Sequence, residues 1–156
     1  MRSSRERPMK LAIACDHRGY DAKMKLLPVL RGWKHEIEDF GCDSPASCDY
    51  PDFAIPAVRS VAKASNDVAI LLDGSGIGMS IVANKIRGIR AALAHDELTA
   101  RRAREHNHCN VLCLGTDLLG EELLRRIVQT FLTTDYTDGR HSKRVQKITA
   151  LEEEGI

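Results

Sequence analysis

The chain lacks any apolar run near the roughly 20 residues that a membrane span needs. It also lacks an excess of charge of either sign: 23 basic against 22 acidic residues leave a formal net charge of +1. No global field therefore draws it to nucleic acid or to an anionic lipid surface, and any anion site has to be local. The five cysteines, Cys15, Cys42, Cys48, Cys109 and Cys113, are odd in number and include no C-x-x-C pair. No secretory h-region precedes them, so they read as reduced thiols in a cytoplasmic protein. Internal repeats and low-complexity linkers are missing too. At 156 residues the chain suits one ordinary domain and is short for two, and that domain is expected over residues 9–156. Residues 1–8 are polar and basic, and read either as a disordered tail or as an over-extended start ahead of Met9.

What the sequence does contain is alternation. Short apolar runs at residues 11–15, 68–72, 91–94 and 111–114 read as buried parallel strands. The stretch at 35–40 alternates charged and apolar side chains and reads as a strand nearer an edge. Segments with helical apolar spacing fill the gaps at 21–30, 53–64, 78–86, 97–106 and 121–132, with Asp52 and Asp96 as expected N-caps. Five βα units in succession predict a three-layer α/β/α fold with a five-stranded parallel sheet and right-handed crossovers. A last helix over 141–154 carries a single narrow stripe of Val145, Ile148 and Leu151. With the sheet already covered on both faces, that stripe is expected at a subunit interface, the alternative being its own domain.

Ligands of open parallel sheets collect at the carboxyl ends of the strands. The residues found there are Asp16-His17-Arg18-Gly19, then Asp73-Gly74-Ser75-Gly76-Ile77-Gly78, then His95-Asp96, then Gly115-Thr116-Asp117. Each alone is more often a helix cap than a catalyst, but their convergence on one edge is the layout of an active site. The glycine-rich segment exposes backbone N–H groups beside a helix N-terminus, which suits an anion or a developing oxyanion, or else it is a plain tight turn. Met79 occupies the place of the third glycine of a dinucleotide fingerprint, and the loop follows the third strand rather than the first, which speaks against a nucleotide. His106-Asn107-His108-Cys109 has no usual zinc spacing, so no metal site is expected. His106 either transfers a proton near neutral pH or interacts with a helix C-terminus. Arg140, His141, Lys143 and Arg144 lie within about one turn and form either a phosphate clamp or a solvated basic face.

Several segments taken in order carry a resemblance: Ala14-Cys15-Asp16-His17, Asp49-Tyr50-Pro51, the glycine loop continuing through Ala83-Asn84-Lys85, Gly88-Ile89-Arg90, Glu105-His106-Asn107, and Gly139-Arg140-His141 to Arg144-Val145. Over residues 9–154 the sequence resembles the ribose-5-phosphate isomerase B and galactose-6-phosphate isomerase family. The resemblance implies a Rossmann-like subunit in a homodimer or dimer of dimers, with active sites shared across the interface and with neither metal nor nucleotide cofactor. It implies an aldose–ketose isomerase acting through a cis-enediolate on a phosphorylated pentose, by default ribose 5-phosphate and ribulose 5-phosphate. By position, His106 assists ring opening, and Gly74, Ser75, Gly76 and Gly78 hold the enediolate oxygen. Asp16, Tyr50 and Asn107 position the open-chain sugar, and His17, Arg140 and Arg144 engage its phosphate.

The sequence departs from that pattern at two places. Where many members have a cysteine base, this chain has Asp73, and where another branch has a glutamate in the loop it has Met79. Asp73 is thus the expected base, with His106 and Ser75 completing the catalytic set. Asp117 stands where phosphate-binding members usually have arginine or lysine. It is expected to oppose a phosphate, to pair with one of the arginines, or to accept a sugar hydroxyl. The alternatives left open are an isomerase of a different sugar or sugar phosphate, a catalytically silent sugar-binding homologue, and a nucleotide-binding module.

Overall fold

Three of the apolar runs contain no polar break, and such strands are stable only where both sheet faces are covered. They form the centre of the molecule. In the computed structural model, which describes residues 7–155, the runs become β1 (Lys10–Cys15), β3 (Val68–Asp73) and β5 (Val111–Gly115). All of their residues but Lys10 are buried. The polar strand β2 (Glu36–Asp39) and the short β4 (Ala91–Leu93) take the two edges. The order is β2-β1-β3-β5-β4, with every pairing parallel. Of the tail expected over 1–8, only Arg7 and Pro8 fall within the described residues, and both are exposed.

Because successive side chains of a strand point to opposite faces, the sheet builds two cores. Leu11, Ile13, Ile70, Leu72, Leu112 and Leu114 face one side. There they meet α1 (Tyr20–Gly32), α4 (Glu97–Asn107) and α5 (Glu121–Thr133), through residues such as Leu30, Ala103 and Phe131. Ala12, Ala14, Leu71 and Val111 face the other side, against α2 (Tyr50–Ala62) and α3 (Ile77–Asn84). The free edge of β4 is closed by a side chain acting as a strand. Asn84 donates from Nδ2 to the Ala91 carbonyl at 3.0 Å and accepts the Ala91 N–H on Oδ1 at 2.9 Å.

Helix α4 is capped as its sequence suggests. The Asp96 carboxylate accepts the Thr99 N–H at 2.6 Å, and the Thr99 hydroxyl reciprocates toward the Asp96 N–H at 3.2 Å. Helix α2 differs from expectation, because it starts at Tyr50 with Asp49 as N-cap, which places Asp52 inside the first turn. Pro51 is the reason: its fixed φ suits the first helical turn and extends the helix back beyond the apolar periodicity. The extra C-terminal helix, α6 (Arg140–Glu153), packs beside α4. It buries His141 and Val145 but leaves Ile148 and Leu151 about half exposed, at 43% and 52%. These two residues line an open groove of about 830 Å³ beside β4 and α4. None of the described helices is long and apolar enough to cross a membrane.

A buried ammonium joins α1 to the edge strand. Lys23 is 1% exposed, and its Nζ donates to both oxygens of Asp39 at 2.7 and 3.0 Å and to the Cys42 carbonyl at 2.7 Å. Removing one partner of such a pair strands the other, which typically costs about 3–5 kcal/mol; Asp39 is still a third exposed, so the cost here falls toward the lower end. Lys23→Ala is therefore expected to lower the unfolding free energy measured in urea by that order, and Lys23→Met, which keeps the volume, by less. Equal and negligible shifts for both variants would show that the pair does not anchor this edge.

Candidate active site

Strands β1 and β5 flank β3, so the loops that follow all three strands lean over one spot. Three backbone hydrogen bonds interlock them. The Asp16 N–H donates to the Leu72 carbonyl at 3.2 Å, Thr116 N–H to Asp73 at 2.8 Å, and Asp117 N–H to Gly74 at 3.1 Å. The approach is too close for side chains. A Cβ at Gly115 would lie 2.6 Å from the Ser75 carbonyl oxygen, and at Gly76 the chain turns through a φ of +77° that favours glycine.

This packing buries Asp73 to 5% exposure at the end of β3. The Gly76 N–H donates to its Oδ1. Burial raises the Asp73 pKa above the ordinary aspartate range, and the nearby charges of Asp16 and Asp117 push it the same way. The N–H groups of Gly76 and Met79 act in the opposite direction. The neighbouring thiols are not competing nucleophiles: burial pushes Cys15 up to about 12 and raises Cys113 as well, far from the thiolate form.

Around Asp73 the structure gathers most of the expected carboxyl-edge residues. Asp16, 6% exposed, accepts the Arg18 and Gly19 N–H groups on Oδ1 at 2.9 and 3.1 Å, which fixes the turn into α1. His17 accepts the Cys48 N–H on Nδ1 at 3.3 Å. Tyr50, the first residue of α2, lays its ring against Gly78, where a Cβ would lie 2.5 Å from Cζ and 2.7 Å from the hydroxyl oxygen. Ser75 accepts the Ile77 N–H at 3.2 Å on its hydroxyl. Gly74 lies under an ion pair in which Arg18 donates from Nε and Nη2 to Asp117 Oδ2 at 3.0 and 2.6 Å. Asp117 thus pairs with Arg18, not with Arg140 or Arg144.

The remaining expected residues lie elsewhere. Helix α4 runs back from the carboxyl edge, so His106 and Asn107 at its end precede β5 and stand at the amino edge of the sheet. Asp73 pairs with Gly115 and Ala69 with Val111, four steps away, so the two edges are separated by about 13 Å along the strands. At the amino edge His106 stacks on His141 with centroids 4.1 Å apart, and Arg102 Nη1 approaches His106 Nε2 at 3.1 Å. Burial, His106, Arg140, Arg144 and Arg102 together lower the His141 pKa. Arg140 and Arg144 are exposed on the first turns of α6. One subunit therefore does not bring Asp73 together with His106, Asn107, Arg140 and Arg144. His106, His108 and Cys109 diverge as well, since His108 stacks on Tyr136 at 4.3 Å and Cys109 is buried.

The sequence reading assigned no role to Arg18 or Thr116, although both belong to the polar runs that end strands. Thr116 donates its hydroxyl to the Arg18 and Asp73 carbonyls, each at 3.1 Å. The available signal was opposite charge, an arginine after one strand and an aspartate after another. It becomes readable only once those strands are known to flank the glycine loop.

Three comparisons bear on this geometry. A family model described as Ribose/Galactose Isomerase matches residues 11–148. The ribose-5-phosphate isomerase B of Escherichia coli is 40% identical over 144 residues, spanning 92% of this chain and 97% of that protein. The structure of the Clostridium thermocellum ribose-5-phosphate isomerase B superposes with a TM-score of 0.93 at 40% identity, covering 95% of this chain and all of that one. The Mycoplasma genitalium ribose-5-phosphate isomerase B, solved with bound ribulose-5-phosphate, superposes at 0.89 with 37% identity over 93% of this chain and 97% of its own.

The raised pKa of Asp73 fixes the sign of its effect on stability. A carboxyl group whose folded pKa lies above its unfolded value stabilises the fold only while protonated, and that contribution is lost as pH rises through the folded pKa. Asp73→Asn is therefore expected to be more stable than the parent at neutral pH, with the gap closing toward about pH 4, where unfolded aspartate titrates. Denaturant unfolding across that range checks it, and a gap independent of pH would show that Asp73 is not a strained carboxylate.

Proposed function

Because the chain belongs to the ribose/galactose isomerase family, we propose that it interconverts an aldose phosphate and its ketose by proton transfer through a cis-enediolate, with ribose 5-phosphate and ribulose 5-phosphate as the default pair. The observation that supports this most is the buried Asp73 carboxylate, raised in pKa, at the start of the glycine loop and ahead of the N-terminus of α3. Residues 9–156 serve as one isomerase domain in this reading.

Asp73 takes the proton from C2 of the open-chain aldose, and the C2 electrons pass into the C1 carbonyl, giving the enediolate. With Oδ1 engaged by Gly76, the transfer falls to the other carboxylate oxygen. The N–H groups of Gly74, Ser75 and Gly78 stabilise the charge on the enediolate oxygen, where preorganised donors act without reorganisation, while Gly76 holds Asp73 in place. A proton moves from O2 to O1, and Asp73 returns its own to C1, leaving the C2 carbonyl of the ketose. Asp16 and Tyr50 position the chain, and His17 faces the phosphate end.

Ring opening by His106, sugar contact by Asn107 and phosphate binding by Arg140 and Arg144 need the amino edge of a second subunit placed over this carboxyl edge. A homodimer, alone or within a dimer of dimers, meets that need and covers the half-exposed Ile148 and Leu151 of α6.

Asp73→Asn is expected to lower turnover by about 10²–10⁴ with less effect on substrate affinity, as loss of a general base does. His106→Asn should slow cyclising substrates far more than substrates that cannot cyclise. Unfolding and refolding the two impaired variants together tests the shared site, because a mixed dimer regains one site with both groups intact. Recovery of activity in the mixture is the expected result, and none above that of the separate variants argues against sites built from two subunits.

A further inference from the structure

We propose that Arg18, held over Gly74 by Asp117, is the cation that the Asp73-bearing subunit supplies to the terminal phosphate of the substrate. The proposal rests on the isomerase reading above and adds to it a pair of specificity-determining residues.

Arg18 directly follows His17, and its head lies against the glycine loop. A Cβ built on Gly74 would stand 2.9 Å from Arg18 Nε and 2.9 Å from Asp117 Oδ2. Both hydrogen bonds of the pair end on the same carboxylate oxygen, Oδ2, at 3.0 Å from Nε and 2.6 Å from Nη2. A guanidinium carries five N–H donors in a fixed plane, so the pair leaves most of them, including those of Nη1, for a ligand. The side chains of Arg18 and Asp117 remain 54% and 44% exposed, within reach of a ligand rather than sealed in the core. The Arg18 carbonyl is held by the Thr116 hydroxyl at 3.1 Å, so main chain as well as side chain is tied to the loop that carries Asp117.

Asp117 then acts as a positioning residue. A long arginine left alone would have to be ordered each time a phosphate bound, whereas a guanidinium already oriented by a carboxylate has that cost removed beforehand. The carboxylate also separates Arg18 from the two arginines that a partner subunit would bring, which otherwise repel one another in the empty site. Seen this way, the anion at position 117 does not spoil a phosphate site; it moves the site's cation from the loop after β5 to the loop after β1. The effect of Asp117→Arg reverses accordingly. Position by position that substitution adds a cation for phosphate, but in this geometry it sets two guanidinium groups against each other over Gly74 and releases Arg18.

The experiment compares kcat/KM for a sugar phosphate and its unphosphorylated counterpart in the parent enzyme, Arg18→Met, Asp117→Arg and the double variant. Arg18→Met is expected to lower kcat/KM by about ten- to a hundredfold for the phosphorylated substrate alone, the worth of one charge-assisted hydrogen bond. Asp117→Arg should also lose activity on the sugar phosphate. The double variant Arg18→Met/Asp117→Arg should recover much of it, because one cation again faces the site without a rival. An Arg18→Met loss shared equally by both substrates, or an Asp117→Arg enzyme better than the parent, overturns the proposal. A second readout needs no turnover: inorganic phosphate should raise the melting temperature of the parent protein and do so less in Arg18→Met. Phosphate stabilisation that depends on Arg18 in a protein that isomerises no sugar would sink the isomerase reading and leave Arg18 standing. Isomerase activity whose phosphate preference ignores Arg18 would do the reverse, and so would phosphate stabilisation unchanged by Arg18→Met.

Discussion

Close approach of backbone around Asp73 is the constraint from which the rest of the site follows. A Cβ at Gly19 would fall 2.3 Å from the Leu72 carbonyl oxygen, and one at Gly115 would fall 2.6 Å from that of Ser75. Only because both positions lack a side chain do the loops after β1 and β5 close over the end of β3. That closure removes water from a carboxylate and raises its pKa, which costs stability when the group is ionised and makes it a stronger base than an exposed aspartate. The same packing seals the thiols of Cys15 and Cys113 in the core, where burial drives their pKa values up and leaves them as small apolar fillers.

The two edges of the sheet divide the expected site residues between them. The carboxyl edge holds Asp73, Asp16 and the glycine loop, and the amino edge holds His106, His141 and the arginines of α6. In the proposed reading the base, Asp73, and the ring-opening group, His106, lie on opposite edges. In the proposed dimer the C-terminal helix does two jobs, covering apolar surface with Ile148 and Leu151 and delivering cations with its first turn. At the amino edge Arg90 closes the end of α4, its guanidinium donating to the carbonyls of Asn107 and His108 at 2.9 Å each.

In the proposed phosphate site the ion pair of Arg18 with Asp117 connects this geometry to substrate choice. Both residues are exposed at sequence-distant loops, and neither belongs to a core or to a regular element. They meet because β1 and β5 stand on either side of β3, a lateral gap of two strand spacings, or about 9.5 Å, that the arginine and aspartate side chains span together.

Local periodicity in the sequence determined much of this protein. Unbroken apolar runs marked β1, β3 and β5, alternation marked β2, and helical spacing with the Asp96 cap marked α4, since each depends on neighbours within a turn or a few residues. The half-covered stripe of α6 was legible for the same reason, as was the polar run that follows each strand. Tertiary structure alone decided the strand order, and with it which polar runs became neighbours. Pairing β5 between β3 and β4 is a non-local choice that leaves no trace in spacing, so the meeting of Arg18 and Asp117 could not be read from it. The separation of His106 from Asp73, by contrast, already follows from the predicted βα order, because a helix between parallel strands runs back to the amino edge. The earlier start of α2 at Tyr50 was a smaller case: Pro51 settled the first turn through its fixed φ, outside the apolar pattern that marked the rest of the helix.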